Sequence, residues 1–390
     1  MSTTKTRNSV KYLLFLFTLL TFSKLEAYPQ FVVYGYKNCS ACHFNPLGNG
    51  PLTDYGRAVS ATELAAAPLY RDIDPEKLAK YSGFLGDSEI LPAWLRPSLD
   101  YRGMEMWNAV EKTGSRPRYI TMQADASLTL NYEKWVVTGT LGYVPVENRS
   151  ASQSKDAFVT REHYVSYTVD KNLWVGAGLM DVAYGIRIPD HVSFSRSRTT
   201  LAQNDQSHGV LIVKKFGKWQ SSFHALVGNL ISDKEKQQKG FSWTNEFEVA
   251  SKSLVGFSLL QTRSDAREKN LFSIHSRLSL LKSTSLLSEV GLVRDSAWGG
   301  GPYGMEFYTL NQSYTRLLKG LFLLINLETL TQKNVGASGP LHTLMMGPSL
   351  LWWPMQRVEL RVDLRALKQE SKTISTPFTW SAFVQSHLWF

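Results

Sequence analysis

The chain has 390 residues, 43% of them hydrophobic and 12% aromatic, with a formal net charge of +10. That length allows one large or two ordinary domains. The absence of heptads, nucleotide-binding loops and long apolar runs beyond the N-terminus argues against coiled-coil, nucleotide-dependent and helical membrane classes. The basic balance suits anions, chelates or lipopolysaccharide, and no nucleic-acid partner is expected.

Lys5, Arg7 and Lys11 precede an apolar run from Tyr12 to Phe22, and the small-residue ending falls at Ala27. This is the layout of a secretory signal peptide over residues 1–27, cleaved before Tyr28. The run is shorter than the roughly 20 residues that a spanning helix needs. The mature chain is therefore expected outside the cytoplasm.

Both cysteines of the chain lie in "CSACH", residues 39–43. Cys39, Cys42 and His43 form the attachment pattern of haem c: two thioethers fix the porphyrin and the adjacent imidazole binds iron from the proximal side. Three other readings compete. A Cys39–Cys42 disulfide would close a very small loop, a thioredoxin-like pair needs a βαβ surround that does not follow, and zinc needs four ligands where the next histidine is His163.

From Phe44 to Pro92 the punctuation "NPLGNGP" is followed by two predicted short helices, "LTDYGRAVSATELAAA" and "DPEKLAKYSGF". With the motif they form a segment, residues 28–92, able to wrap one haem face but too small for a core of its own. Such a segment is expected to plug a larger body.

That body, residues 93–390, alternates apolar and polar positions. In 119–132, Ile120, Met122, Ala124, Ala126, Leu128 and Leu130 share one face and Thr121, Gln123, Asp125, Ser127 and Thr129 the other. In 355–366, Val358, Leu360, Val362 and Leu364 oppose Arg357, Glu359, Arg361, Asp363 and Arg365, a charged face that requires water or a polar lumen.

Sixteen such segments are predicted, at 94–107, 118–131, 134–146, 158–169, 172–182, 208–216, 218–229, 241–251, 253–263, 270–281, 283–293, 302–316, 319–330, 341–352, 355–366 and 377–390. Short and long connections alternate between them, the last short one at Trp353–Pro354. The pattern predicts an outer-membrane β-barrel of about sixteen antiparallel strands, with tight periplasmic turns, longer outside loops and both termini on the periplasmic side. The terminal Phe390, on one face with Leu388, Val384, Ala382 and Trp380, resembles a barrel-assembly signal.

The sixth ligand of a plugged haem has several candidates. Arg96, Ser98, Asp100 and Arg102 share the lumenal parity of the first strand, which carries Met104 and Met106 inward as well. His163 in the fourth strand is another, and Lys77 or Lys80 would be unusual ones. The connection 183–207 is expected outside, where Arg187, Arg196 and Arg198 would contact lipid or sugar. Asp181, Asp190 and His191 there are possible transient iron contacts that their spacing does not demand.

The opening "YPQFVVYGYKNCSACHFNPLGNGPLTDYGR", followed by a barrel ending in Phe, resembles the fused monohaem cytochrome–porins of the outer membrane, which include iron-oxidising electron conduits. The likeness rests on Pro29, Phe31, Cys39, Cys42, His43, Pro51, Leu52, Tyr55, Gly56 and Arg57, and covers about thirty residues in detail. It implies one covalent haem c, an extracellular donor such as Fe(II) or chelated iron, a periplasmic c-type cytochrome as acceptor, and contact with outer-membrane lipids. Arg57 becomes a candidate for a haem propionate, and equally for a helix cap. "PLGNG" lengthens the stretch between His43 and Gly56, and "AVSATELAAA" replaces the basic, aromatic continuation, which puts the donor in doubt. Such a chain passes single electrons, an Fe(II) oxidase at most. The alternative is a porin-like transport barrel that the haem segment gates or braces.

Overall fold

A computed structural model describes residues 39–48, 50–66, 77, 80–84, 89–109, 117–143, 158–190, 192–202, 204–234, 237–250, 252–265, 267–296, 303–333 and 339–390. The expected signal peptide, Pro29, Phe31, His191 and part of the second predicted helix lie outside them.

The strands are β1 (Leu95–Ala109), β2 (Arg118–Tyr132), β3 (Trp135–Tyr143), β4 in two pieces (Phe158–Val159 and His163–Asp170), β5 (Leu173–Met180), β6 (Ser207–Phe216), β7 (Trp219–Gly228) and β8 (Lys239–Ala250). They continue as β9 (Ser253–Arg263), β10 (Glu268–Leu281), β11 (Thr284–Ser296), β12 (Tyr303–Leu318), β13 (Leu321–Lys333), β14 (Leu341–Met355), β15 (Val358–Glu370) and β16 (Thr379–Trp389). Each pairs antiparallel with the next, and β1 pairs with both β2 and β16, with Asp100 opposite Asp125 and Trp389. The sheet closes into a sixteen-stranded barrel, so no edge is left unpaired.

At one end, consecutive strands are joined by two-residue turns. Gly217 there adopts φ 61°, in the left-handed region that favours glycine. The turn expected at Trp353–Pro354 lies further on, at residues 356–357, because β14 runs through to Met355. Trp353 is buried and holds the strand inward to that point.

Outward positions are apolar and exposed, among them Leu128, Val137, Ile212, Ile274, Ile325, Leu350 and Val362. A lipid-facing surface requires this. The aromatics Tyr132, Trp135, Phe216, Phe247 and Trp352 stand at strand ends on the same face.

The lumen is packed rather than open. The connection between β5 and β6, expected outside, folds into the barrel: Val182, Tyr184 and Phe194 join a core with Leu226, Leu260, Leu271, Val293 and Tyr308. Ile186 and Ile188 join a second with Leu287, Leu310, Phe322, Leu324 and Trp353. At about 1.5–3 kcal/mol per buried apolar side chain, this packing favours the inward position over a solvated one. A buried loop must also satisfy its backbone. Gly185 N donates to Ser258 Oγ at 3.0 Å, Ile186 N to Glu289 Oε2 at 2.6 Å and Phe194 N to Glu328 Oε2 at 2.7 Å.

Candidate functional site in the lumen

Residues 39–66 lie against the lumenal face. Cys39–Ala41 is a 3-10 turn in which Cys42 N and His43 N both donate to Cys39 O, at 3.1 and 2.9 Å. The chain then doubles back: His43 bridges to Leu52, and Thr53 N donates to Cys42 O at 2.8 Å. The first predicted helix is present as α1 (Asp54–Val59), capped by Thr53 Oγ1 and continued by a π turn, Ser60–Leu64. Gly56 lets α1 lie against the motif, since a Cβ there would stand 2.3 Å from Cys42 O.

Four contacts fix this segment to the wall. Arg96 Nε donates to Asp54 Oδ1 at 2.6 Å, Arg57 NH2 to Pro97 O at 2.8 Å, Asn45 Nδ2 to Glu162 Oε1 at 2.9 Å, and Ala66 N to Trp353 O at 2.8 Å. The Glu162 contact falls at the interruption of β4, so the ladder breaks where the segment docks.

Between this segment, the inward loop and the wall lies a cavity of about 280 Å³. Cys39, Cys42 and His43 line it together, and neither thiol is in a disulfide. Burial pushes the Cys42 thiol up to about 11, with the neighbouring Cys39 adding to the effect. His43 Nδ1 stands 3.3 Å from Gly50 O. An N–H donated there leaves the Nε2 lone pair as the ligating atom. Two uncommitted thiols and an imidazole oriented by a carbonyl, all on one cavity, fit the donor set that covalent haem requires.

Arg57 also lines the cavity, although its guanidinium is committed to Pro97 O. Burial lowers its pKa, against the raising effect of Asp54. Met104 and Met106 have the expected parity, opposite the buried Gln385 and Phe383, but do not line the cavity. Parity fixes the face of a strand and not the height along it.

His163 faces outward, its Nε2 3.1 Å from His208 Nε2. Both histidines pair with Leu179, which their rings cover. Lys77 is exposed and Lys80 pairs with Glu89. The histidine that shares the cavity is His387, on β16. Its parity is legible, because the outward set Leu388, Val384, Ala382 and Trp380 places His387 and Gln385 on the lumenal face.

Arg187, Arg196 and Arg198 belong to the inward loop, not to an outside surface. Arg187 pairs with Asp181, which also accepts from Gln206 Nε2 at 2.8 Å, and Arg198 pairs with Glu306 of β12. Asp190 is engaged by Arg361 and Arg365. Among the described residues, no group of three or more His, Cys, Asp or Glu side chains is placed to hold a metal ion, so Asp181 and Asp190 form no such site.

No protein-family model and no curated protein matches the chain. Its fold is that of the outer-membrane porins. A loop-deletion form of the outer-membrane protein OmpT of Vibrio cholerae matches with a TM-score of 0.60 at 10% identity, over 76% of this chain and 99% of that one. The outer membrane channel DcaP of Acinetobacter baumannii gives 0.56 at 11%, covering 76% and 97%, and an anion-selective porin from Comamonas acidovorans gives 0.52 at 10%, covering 76% and 99%. At these identities the likeness is one of fold.

Proposed function

We propose that the protein is a porin-like transport barrel of the outer membrane whose pore is braced and narrowed by residues 39–66 and the inward loop. The observation that carries this reading is the loop itself, anchored by Glu289, Glu328, Arg361 and Arg365 on the far wall. Porin-fold neighbours that are an outer membrane channel and an anion-selective porin support the same class. The remaining space, about 280 Å³, sits just below the ~300–1,000 Å³ of ordinary ligand clefts. The segment and the loop together narrow the route through the barrel. Liposomes carrying the purified protein should swell with the smallest solutes and exclude disaccharides; free entry of disaccharides would refute the narrowing.

A second reading is favoured by the lumenal position of Cys39, Cys42 and His43. Here the barrel carries one covalent haem c and relays electrons from an extracellular donor, Fe(II) or chelated iron, to a periplasmic c-type cytochrome. The haem, when attached, supplies a one-electron couple without any atom crossing the barrel. Cys39 and Cys42 would hold it and His43 would bind its iron, and the packed lumen around these residues would keep water out. Sharp c-type absorption bands that appear on adding Fe(II) to the anaerobic protein would support the conduit. Bands with dithionite alone would remove Fe(II) as donor, and no bands under either would remove the haem.

A further inference from the structure

His387 and His43 face the same cavity, from the barrel wall and from the N-terminal segment respectively. Among the described residues lining it, His387 is the one side chain outside the Cys39–His43 motif that carries a nitrogen or sulfur donor suited to low-spin iron; no methionine or lysine lines it. We infer that His387 supplies the second axial ligand to the haem iron, opposite His43. This rests on the haem reading above.

The surroundings of His387 are those of a held ligand. Glu359 Oε2 lies 3.4 Å from its Nδ1 and Asp100 Oδ1 lies 3.3 Å from its Nε2. Both contacts are long for hydrogen bonds, so turning Nε2 from Asp100 to a metal forfeits little. A neutral imidazole presents one ring nitrogen as the donor atom, and for Nε2 to serve, the ring proton must sit on Nδ1, facing Glu359. Arg102 NH2, which can only donate, stands 3.1 Å from the same Nδ1, so that tautomer requires the guanidinium to turn from the ring to the neighbouring carboxylates. Trp389, with its ring 4.9 Å from the imidazole, closes one side and limits rotation. The neighbouring strands hold the residue in register, His387 lying opposite Arg102 and Glu359.

Two imidazoles give a low-spin iron of lower potential than a His/Met pair. That separates this assignment from ligation by Met104 or Met106.

The test uses the purified full-length protein, with absorption and low-temperature electron paramagnetic resonance of the ferric haem. Wild type should be low-spin. His387→Ala should convert most of the haem to high-spin, and added imidazole should restore the low-spin signal. His387→Met, which keeps a ligand in place if the alanine variant fails to assemble, should remain low-spin with a raised potential. Covalent haem that stays low-spin in His387→Ala, or an unchanged potential in His387→Met, overturns the assignment and leaves the haem reading standing. A wild-type haem that is high-spin overturns it too. Wild-type protein without covalent haem overturns both together.

Discussion

Asp190 of the inward loop and Arg365 of β15 form a buried ion pair across the lumen, Oδ2 to NH2 2.5 Å, with Arg361 3.1 Å from the same oxygen. Removing one partner of a buried pair leaves the other charge uncompensated, at about 3–5 kcal/mol. In Asp190→Ala, Arg361 and Arg365 keep Asp363 as a partner, so the cost falls below that range, but the loop loses its own ionic contact with them. The loop should detach on that side, seen as faster proteolysis between residues 181 and 206 and a higher ion conductance. A variant as protected and as poorly conducting as wild type would mean that the apolar contacts of Ile186 and Ile188 suffice.

The same pair sets a pH response. Burial pushes the Asp190 carboxyl up, but Arg365 and Arg361 outweigh it and hold the group below its ordinary 3.8. A carboxylate lowered on folding contributes stability that is fully present above the unfolded value and lost as pH falls through the folded one. The share of loop protection that Asp190 supplies should therefore be flat from about pH 8 to about pH 5 and decline only in strong acid. Release near neutrality would assign control to another group.

Gly56 packs against the backbone oxygen of Cys42, which cannot move aside as a flexible side chain can. A valine there brings a Cβ to 2.3 Å from a backbone oxygen, so α1 must move. Gly56→Val should expose Cys42 to alkylating reagents while the barrel still migrates as a heat-resistant species in detergent. Unchanged protection of Cys42 would show that α1 tolerates the shift.

Cys42 also separates the plug from the barrel. Cys42→Ala should abolish covalent haem and leave the barrel heat-resistant; loss of the barrel as well would make the segment necessary for assembly. In protein without haem, Cys39, half-buried, should alkylate at about pH 8 well before Cys42, whose thiol burial raises to about 11. Equal rates would mean that Cys42 is not enclosed.

The barrel is legible because each strand alternates independently and sixteen such signals agree. In β15, Arg361, Asp363 and Arg365 face inward and Val362 and Leu364 outward, as their alternation predicts. The inward loop was harder to read. Its arginines resemble a solvated surface, while the alternation of Val182, Tyr184, Ile186 and Ile188 records burial in a segment that is not a strand. Of the acids that compensate those arginines, Asp181 lies in the same stretch of sequence as Arg187, but Glu306 is close to Arg198 only in space. The site shows the same division. Cys39, Cys42 and His43 are adjacent in sequence, but the level at which β1 and β16 meet them depends on barrel tilt and docking. Those two factors place Met104 and Met106 away from the cavity and His387 on it.

The most direct measurement is single-channel conductance in planar bilayers, with the full-length protein beside the same barrel lacking residues 39–66. The full-length protein should conduct weakly, and the deletion should raise conductance several-fold because the segment that shares the lumen with the inward loop is gone. Equal and large conductance in both proteins would contradict the account, since neither the segment nor the loop would then obstruct the pore.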